Sequence, residues 1–134
     1  MGTRSTYRII NSAGKPIALV YFQYDGYPDG HPLETAKWLS RRKVVNGFTI
    51  GAKLVFNGAG CLTAQLIKKF KKGPGNVYIE SIGDRGRLDE EYTYDIVVTN
   101  GGIQYIAYEV GWGSNIRFKE IFRGTPQEYI KAYK

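Results

Sequence analysis

The stretch YTYDIVVT, residues 92–99, decides the fold class. Its large apolar side chains recur at every second position from Tyr92 to Val98, and the positions between them are more polar. A period of two is typical of a β-strand with one buried face. Asn100-Gly101-Gly102 follows at once and is a strong tight-turn signal, so an antiparallel hairpin with the strand-like residues 103–110 is predicted.

Further strands are predicted outward from this hairpin. Runs of β-branched and aromatic residues bounded by turn formers lie at residues 6–10, 17–24, 77–82 and 116–122. The segment 44–56 is interpreted either as an irregular connection or as a short strand.

Three helices are predicted from their end signals. One spans residues 32–43, and a second begins after Asn57 and ends before Gly73-Pro74-Gly75. Thr125-Pro126-Gln127-Glu128 has the arrangement of a capping box and predicts a short final helix. The resulting order β-β-α-α-β-β-β-β-α predicts an α+β fold, in which a mainly antiparallel sheet carries two helices packed on one face.

Length and composition bound the class of protein. A chain of 134 residues with 43% hydrophobic content is long enough for one core and too short for two, so residues 1–134 are expected to form one domain. No apolar run is long enough to cross a bilayer, and no secretory signal is recognised. We therefore expect a cytoplasmic protein without a membrane partner.

Positive charge is concentrated in the two predicted central helices and their connection. The net charge is +7, and residues 32–72 hold nine basic residues against the single acid Glu34. The clusters Arg41-Arg42-Lys43 and Lys68-Lys69-Phe70-Lys71-Lys72 lie at predicted helix C-termini, where cations also stabilise the helix dipole. They are interpreted either as solvated helix ends or as a phosphate-binding patch for nucleic acid or a nucleotide. Arg85 and Arg87, at a predicted hairpin tip, are further candidates for phosphate contact.

Aromatic and polar residues crowd the connection between the second strand and the first helix. We call residues 24–32, YDGYPDGHP, the elbow. Tyr24, Tyr27 and the distant Trp112 are candidates for stacking on a nucleobase, and Asp25 and His31 for polar contact with a ligand. The alternative is a rigid joint, in which Asp25-Gly26 makes a turn and Asp29 or Gly30 caps the helix.

The chain contains few of the residue types that enzymes use for catalysis or for zinc binding. One histidine and one cysteine cannot assemble a zinc site, and no cofactor is predicted. The remaining enzyme alternative is a small magnesium-dependent hydrolase or nuclease that uses Asp25, Asp29 and His31.

Cys61 follows a glycine-rich turn and enters the second predicted helix. A helix N-terminus lowers the pKa of a thiol, which suggests a nucleophile. The alternatives are a small buried packing residue, or a turn whose backbone N–H groups bind an anion.

Four segments together carry a resemblance to a group of small phage and bacterial hypothetical proteins. They are Gly2 to Thr6, the corner Tyr24-Asp25-Gly26-Tyr27-Pro28, the run from Asn57 to Leu66, NGAGCLTAQL, and Gly73 to Tyr78. The likeness spans residues 2–96, and Tyr24 stands where relatives show a tryptophan. The resemblance implies a phage or prophage setting, in the cytoplasm of an infected or lysogenic host, where short proteins often counteract host defence.

The sequence therefore predicts a non-catalytic accessory protein that captures an anionic ligand, either nucleic acid or a nucleotide-like signal. The positive charge is expected to gather on one side of the molecule, close to the elbow. A second binding alternative is direct inhibition of a host defence protein, in which the same positive face occupies the acidic surface of a nucleic-acid-binding complex.

Overall fold

The computed structural model describes residues 2–45, 55–84, 90–99 and 102–134. The strands are β1 (Ser5–Ile10), β2 (Pro16–Phe22), β3 (Lys43–Val45), β4 (Val55–Asn57), β5 (Val77–Glu80), β6 (Tyr92–Thr99), β7 (Gly102–Gly111) and β8 (Arg117–Gly124). The helices are α1 (His31–Ser40), α2 (Gly58–Phe70) and α3 (Pro126–Tyr133), with a 3₁₀ turn at Ile82–Asp84.

Six strands form one sheet in the order β5-β2-β1-β6-β7-β8. Every neighbouring pair is antiparallel except the central pair, in which β1 runs parallel to β6. The predicted α+β fold with a mainly antiparallel sheet is confirmed. The hairpin of β6 and β7 is also present, with Thr99 opposite Gly102, whereas the turn residues Asn100 and Gly101 lie outside the described residues.

The core lies between the sheet and the helices. Tyr7 and Ile9 of β1 face Tyr94 and Ile96 of β6 in register, and these residues join one buried apolar cluster with side chains of α1, α2 and α3. Because one sheet face supplies these residues, all three helices pack on that face. The prediction placed two helices there, and α3 is the third.

The opposite face of β6 is less open than its polar residues predicted. Thr93 and Asp95 are each 1% exposed. Asp95 accepts two hydrogen bonds from the Arg8 guanidinium, at 2.8 and 3.2 Å. A buried carboxylate is stable only when it is paired, so Arg8 on the neighbouring strand explains how Asp95 occupies this position.

Local signals located most element ends. The Thr125 side chain accepts from the Glu128 backbone, and the Glu128 carboxylate accepts from the Thr125 backbone, which confirms the predicted capping box. Helix α1 ends at Ser40, whereas the prediction placed its end at Lys43. The backbone N–H groups of Arg41 and Arg42 donate to carbonyls three residues earlier in the chain, which is the 3₁₀ pattern that often ends an α-helix.

The undecided segment 44–56 has strands at both of its ends. Strand β3 pairs in parallel with β4, from Lys43 opposite Val55 to Val45 opposite Asn57. Residues 46–54 between these strands lie outside the described residues. None of the helices in the described ranges is both long enough and apolar enough to cross a bilayer.

Candidate anion-binding groove

Helices α1 and α2 run in opposite directions. The Lys69 ammonium, near the end of α2, lies 3.6 Å from the Glu34 carboxylate, near the start of α1. At the other end, the Arg42 guanidinium lies 5.9 Å from the ring of Phe56, which comes just before α2. The two basic clusters therefore lie at opposite ends of the helix pair, about 15 Å apart along the ten residues of α1.

This arrangement corrects the expectation that the positive charge gathers beside the elbow. The elbow adjoins the start of α1, whereas Arg41, Arg42 and Lys43 follow its end. Only the cluster at the end of α2 lies on the side of the elbow, since Phe70 is 5.9 Å from His31.

A groove between the two helices nevertheless collects cations from both clusters. We call it the basic groove, and it encloses a cavity of about 620 Å³. Its lining residues are Trp38, Arg42, Val55, Asn57, Cys61, Gln65, Lys68 and Lys69. Three of these are basic and none is acidic, so the groove carries positive charge at its two ends, from Arg42 and from Lys68 and Lys69, of which Lys69 is paired with Glu34.

Arg42 is the most constrained cation of the groove. Its guanidinium stacks over the Trp38 ring at 4.8 Å, and Nη1 donates to the Trp38 carbonyl at 3.1 Å. Its Nε is buried and has no acceptor within the described part of the chain. Burial, with a smaller contribution from the charge of Arg41, lowers the pKa of Arg42. A buried donor without an acceptor costs about 1–3 kcal/mol.

Cys61 lies on the wall of the groove, in the first turn of α2, and is half-buried. The Gln65 side-chain amide donates to the Val55 carbonyl at 3.0 Å and lies 3.2 Å from Cys61 Sγ. The interpretation as a nucleophile needed His31 as a base. That imidazole packs against Phe70 at the far end of α2, so this base is not beside the thiol.

The other predicted basic residues lie apart from the groove. Arg41, Lys43 and Lys72 are exposed, and Lys43 lines a second cavity, beside α3, which Arg42 also lines. Lys71 donates from Nζ to the carbonyls of Gly75 and Val77 at 2.7 and 2.8 Å, so it stabilises the chain after α2. Arg85 and Arg87 lie outside the described residues.

His31 belongs to the core, which corrects its assignment as a surface ligand contact. Its ring is 8% exposed and stacks on Phe22 with the centroids 4.3 Å apart. Nδ1 lies 2.8 Å from the Tyr7 hydroxyl, and Nε2 lies 3.2 Å from the Ser5 hydroxyl. Burial lowers the pKa of His31 to about 3, so the ring is neutral near pH 7.

The alternative of a magnesium-dependent hydrolase or nuclease needed the imidazole of His31 beside Asp25 and Asp29, and the structure does not place it there. Asp25 and Asp29 stay at the surface of the elbow, while His31 points into the core. Across the described ranges, no group of three or more His, Cys, Asp and Glu side chains is placed to hold a metal ion.

Three tyrosine hydroxyls donate hydrogen bonds to backbone carbonyls of the elbow. Tyr94 donates to the Gly26 carbonyl at 2.6 Å, and Tyr129 donates to the Pro28 carbonyl at 2.6 Å. Tyr105 donates to the Pro32 carbonyl at 3.0 Å. These bonds from β6, β7 and α3 tie three backbone carbonyls of the elbow to the core, which favours the interpretation of the elbow as a rigid joint.

Tight backbone contacts close the same joint. The His31 backbone N–H donates to the Asp25 carbonyl at 3.0 Å, and Asp25 has a φ of 59°. Gly30 occupies the cap position of α1, as one of the two predicted alternatives, without a side-chain cap. A Cβ at Gly30 would lie 2.3 Å from the Asp25 oxygen, so only glycine fits there.

The aromatic candidates do not reach the basic groove. Tyr27 and Trp112 line a different cavity of about 570 Å³, which shares no lining residue with the groove. Tyr24 is 52% exposed and packs over Gly2. The structure therefore brings Arg42, Lys68 and Lys69 together, brings Tyr27 and Trp112 together, and separates the two sets.

Sequence reasoning missed Trp38, Asn57 and Gln65 as site candidates and did not place Cys61 beside the basic residues, although a signal was present. Asn57, Cys61 and Gln65 recur at a spacing of four and continue to Lys68 and Lys69. Residues four apart share one helix face, so this spacing marks a polar stripe beside the basic cluster.

No protein-family model, no curated protein and no solved structure matches the chain. The resemblance to small phage and bacterial proteins therefore stays a prediction.

Proposed function

We propose that the protein is a non-catalytic accessory protein that captures a phosphate-bearing anion in the basic groove. The ligand is nucleic acid or a nucleotide-like signal. The observation that carries the proposal is Arg42, whose stacked and partly buried guanidinium lines a groove with two further cations and keeps one N–H donor for which the described residues supply no acceptor.

Charge complementarity is the main source of affinity in this proposal. Arginine suits phosphate because its planar fork of donors matches two oxygens at once. Trp38 holds the guanidinium plane and is itself only 8% exposed, so a base would stack on the guanidinium rather than on the indole. The aromatic residues of the elbow take no part in this binding.

The size of the groove limits the ligand. Within α2, the lining residues run from Cys61 to Lys69, which corresponds to about 12 Å of helix. A nucleotide or a few nucleotides of a single strand would fill this length. A phage or prophage setting, as the resemblance implies, would make such a ligand part of a host defence pathway in the cytoplasm.

Matched charge variants test the proposal. Binding of a fluorescently labelled single-stranded oligonucleotide is measured by anisotropy for Arg42→Gln against Arg41→Gln, and for Lys68→Gln against Lys72→Gln. Each pair removes the same charge, but only Arg42 and Lys68 line the groove. We expect the groove variants to bind about tenfold more weakly, a loss of about 1.4 kcal/mol, and the control variants to stay within about twofold of the wild type.

Binding of mononucleotides is tested by the fluorescence of Trp38 in a Trp112→Phe background, which leaves one tryptophan, beside the groove.

Affinity for the oligonucleotide should also fall steeply between 50 and 200 mM salt. Equal losses within each matched pair would indicate non-specific attraction by net charge and contradict the groove. A flat salt response would contradict phosphate binding altogether.

A further inference from the structure

The cavity that holds Tyr27 and Trp112 differs in composition from the basic groove, because three aromatic rings line it and its two carboxylates are matched by two cations. We call it the aromatic pocket. It measures about 570 Å³ and is lined by Thr3, Tyr27, Glu91, Tyr92, Glu109, Val110, Gly111, Trp112, Arg117 and Lys119. Three aromatic rings and two carboxylates therefore meet at one cavity.

The rings are held in place but remain accessible. Trp112 donates from Nε1 to the Glu90 carbonyl at 2.8 Å and is 44% exposed, while Tyr27 is 41% exposed. Tyr92 is half-buried at the start of β6 and stacks beside Tyr94 with the centroids 6.4 Å apart. All three rings line the cavity.

Negative charge is strongest at the Tyr92 end of the pocket. Burial raises the pKa of Tyr92, and the carboxylates of Glu109, Glu91 and Asp29 raise it further. Glu109 is the cross-strand neighbour of Tyr92 on β7. In the described part of the chain, neither Glu91 nor Glu109 belongs to an ion pair.

The two cations of the pocket lie on its far side. Lys119 is opposite Glu109 and Arg117 is opposite Gly111, both on β8. Strand β7 therefore separates them from Tyr92, by about 10 Å across two strand spacings. Glu109 therefore lies between Tyr92 and Lys119, about one strand spacing from each, whereas Glu91 lies next to Tyr92 in the chain and farther from both cations.

We propose that the aromatic pocket binds an alkylated ammonium ion, whose methyl groups pack between Tyr27, Tyr92 and Trp112 and whose charge faces Glu91 and Glu109. Ring faces attract cations through their quadrupole, and aromatic cages for quaternary ammonium groups use this attraction. The cation is either the head of a free choline-like molecule or the side chain of a trimethylated lysine. This site is independent of the basic groove, which takes ligands of the opposite charge.

Calorimetric titration of the intact protein tests the site with three probes. The probes are choline, Nα-acetyl-trimethyllysine amide and 3,3-dimethylbutan-1-ol, the last being a neutral isostere of choline. We expect saturable binding of at least one cation and about tenfold weaker binding of the neutral isostere, since only a cation gains from the rings and carboxylates. Tighter binding of choline assigns the site to a free small molecule, and tighter binding of the lysine derivative assigns it to a protein side chain.

Variants of the pocket separate the effects of its rings, carboxylates and cations. Glu109→Gln and Trp112→Leu should each weaken binding about tenfold, and Lys119→Gln should leave it unchanged or tighten it, because it removes a repelling charge. Tyr27→Leu, at the exposed elbow, provides a second ring variant if Trp112→Leu fails to fold. No saturable binding, equal binding of the neutral isostere, or unchanged binding by both Glu109→Gln and the ring variant would overturn the proposal.

Discussion

The elbow and the basic groove both combine aromatic rings with polar groups, but they differ in how those polar groups are satisfied. In the elbow, three tyrosine hydroxyls and the His31 backbone N–H each reach a carbonyl at 2.6 to 3.0 Å. In the groove, Arg42 keeps a buried Nε without an acceptor in the described part of the chain. The comparison teaches that the polar groups of the elbow serve the protein's own backbone, whereas Arg42 in the groove has a donor left over within the described part of the chain.

The largest expected effect on stability comes from a substitution in the elbow that leaves α2 unchanged. Gly30→Ala places a Cβ 2.3 Å from the Asp25 backbone oxygen, and the backbone must move to relieve the clash. We expect the free energy of unfolding to fall by about 3 kcal/mol, measured by urea denaturation.

Gly60→Ala is the matched control for that variant. Gly60 lies inside α2, and a Cβ there would meet nothing within 4 Å. Alanine favours the helix over glycine, so a gain of about 0.5–1 kcal/mol is expected. A similar loss in both variants would contradict the close contact at the elbow.

Acid tests the burial of His31 under the elbow. Because burial lowers its pKa to about 3, the unfolded chain binds a proton below about pH 6.5 that the folded chain does not. Stability is therefore fully present above pH 6.5 and is lost as the pH falls toward 3. Between pH 7 and pH 5 the expected loss is about 2 kcal/mol, measured from urea midpoints at each pH.

His31→Gln removes the only histidine of the chain while keeping a side chain that forms hydrogen bonds. The variant should be less stable at pH 7, but its stability should change less than that of the wild type between pH 7 and pH 5. An identical pH dependence of the two proteins would show that His31 is not the buried group responsible.

The smallest expected effect on stability is in the basic groove. Arg42→Met keeps an unbranched chain over Trp38 and removes the buried donor that lacks an acceptor. The lost stacking and the relieved burial nearly cancel, so the free energy of unfolding should stay within about 0.5 kcal/mol of the wild type while anion binding is lost. Arg41→Met, at an exposed position, should change neither quantity, and a large destabilisation by Arg42→Met alone would identify Arg42 as a structural residue.

Much of the fold followed from local signals in the sequence. The alternation from Tyr92 to Val98 located β6, and the capping box at Thr125 located α3, because both patterns depend on neighbouring residues. The parallel pairing of β1 with β6 has no local signal, since it depends on how the two halves of the sheet meet. The burial of Thr93 and Asp95 was missed for the same reason, because Arg8 on another strand pairs with Asp95.

The sequence predicted which basic residues are candidates for the site, but it did not predict where in the fold they lie. The basic clusters named Arg42, Lys68 and Lys69, but the antiparallel packing of α1 and α2 decided which cations share a groove. His31 was assigned to the surface because a glycine- and proline-rich stretch resembles a loop, whereas its ring packs against Phe22. No pattern in the sequence separates Arg42 from Arg41, since the difference between them is a missing acceptor in three dimensions.

The parallel pairing of β1 with β6 has a consequence for synthesis on the ribosome. Ser5 pairs with Tyr92 and Ile10 pairs with Val97, so the middle of the sheet closes only after about three quarters of the chain has been translated. Such distant pairing slows folding, and a nascent chain that stops before residue 92 holds the Tyr7 and Ile9 side chains without their partners. Truncated products of this gene should therefore be held by chaperones or degraded rather than accumulate as a folded half.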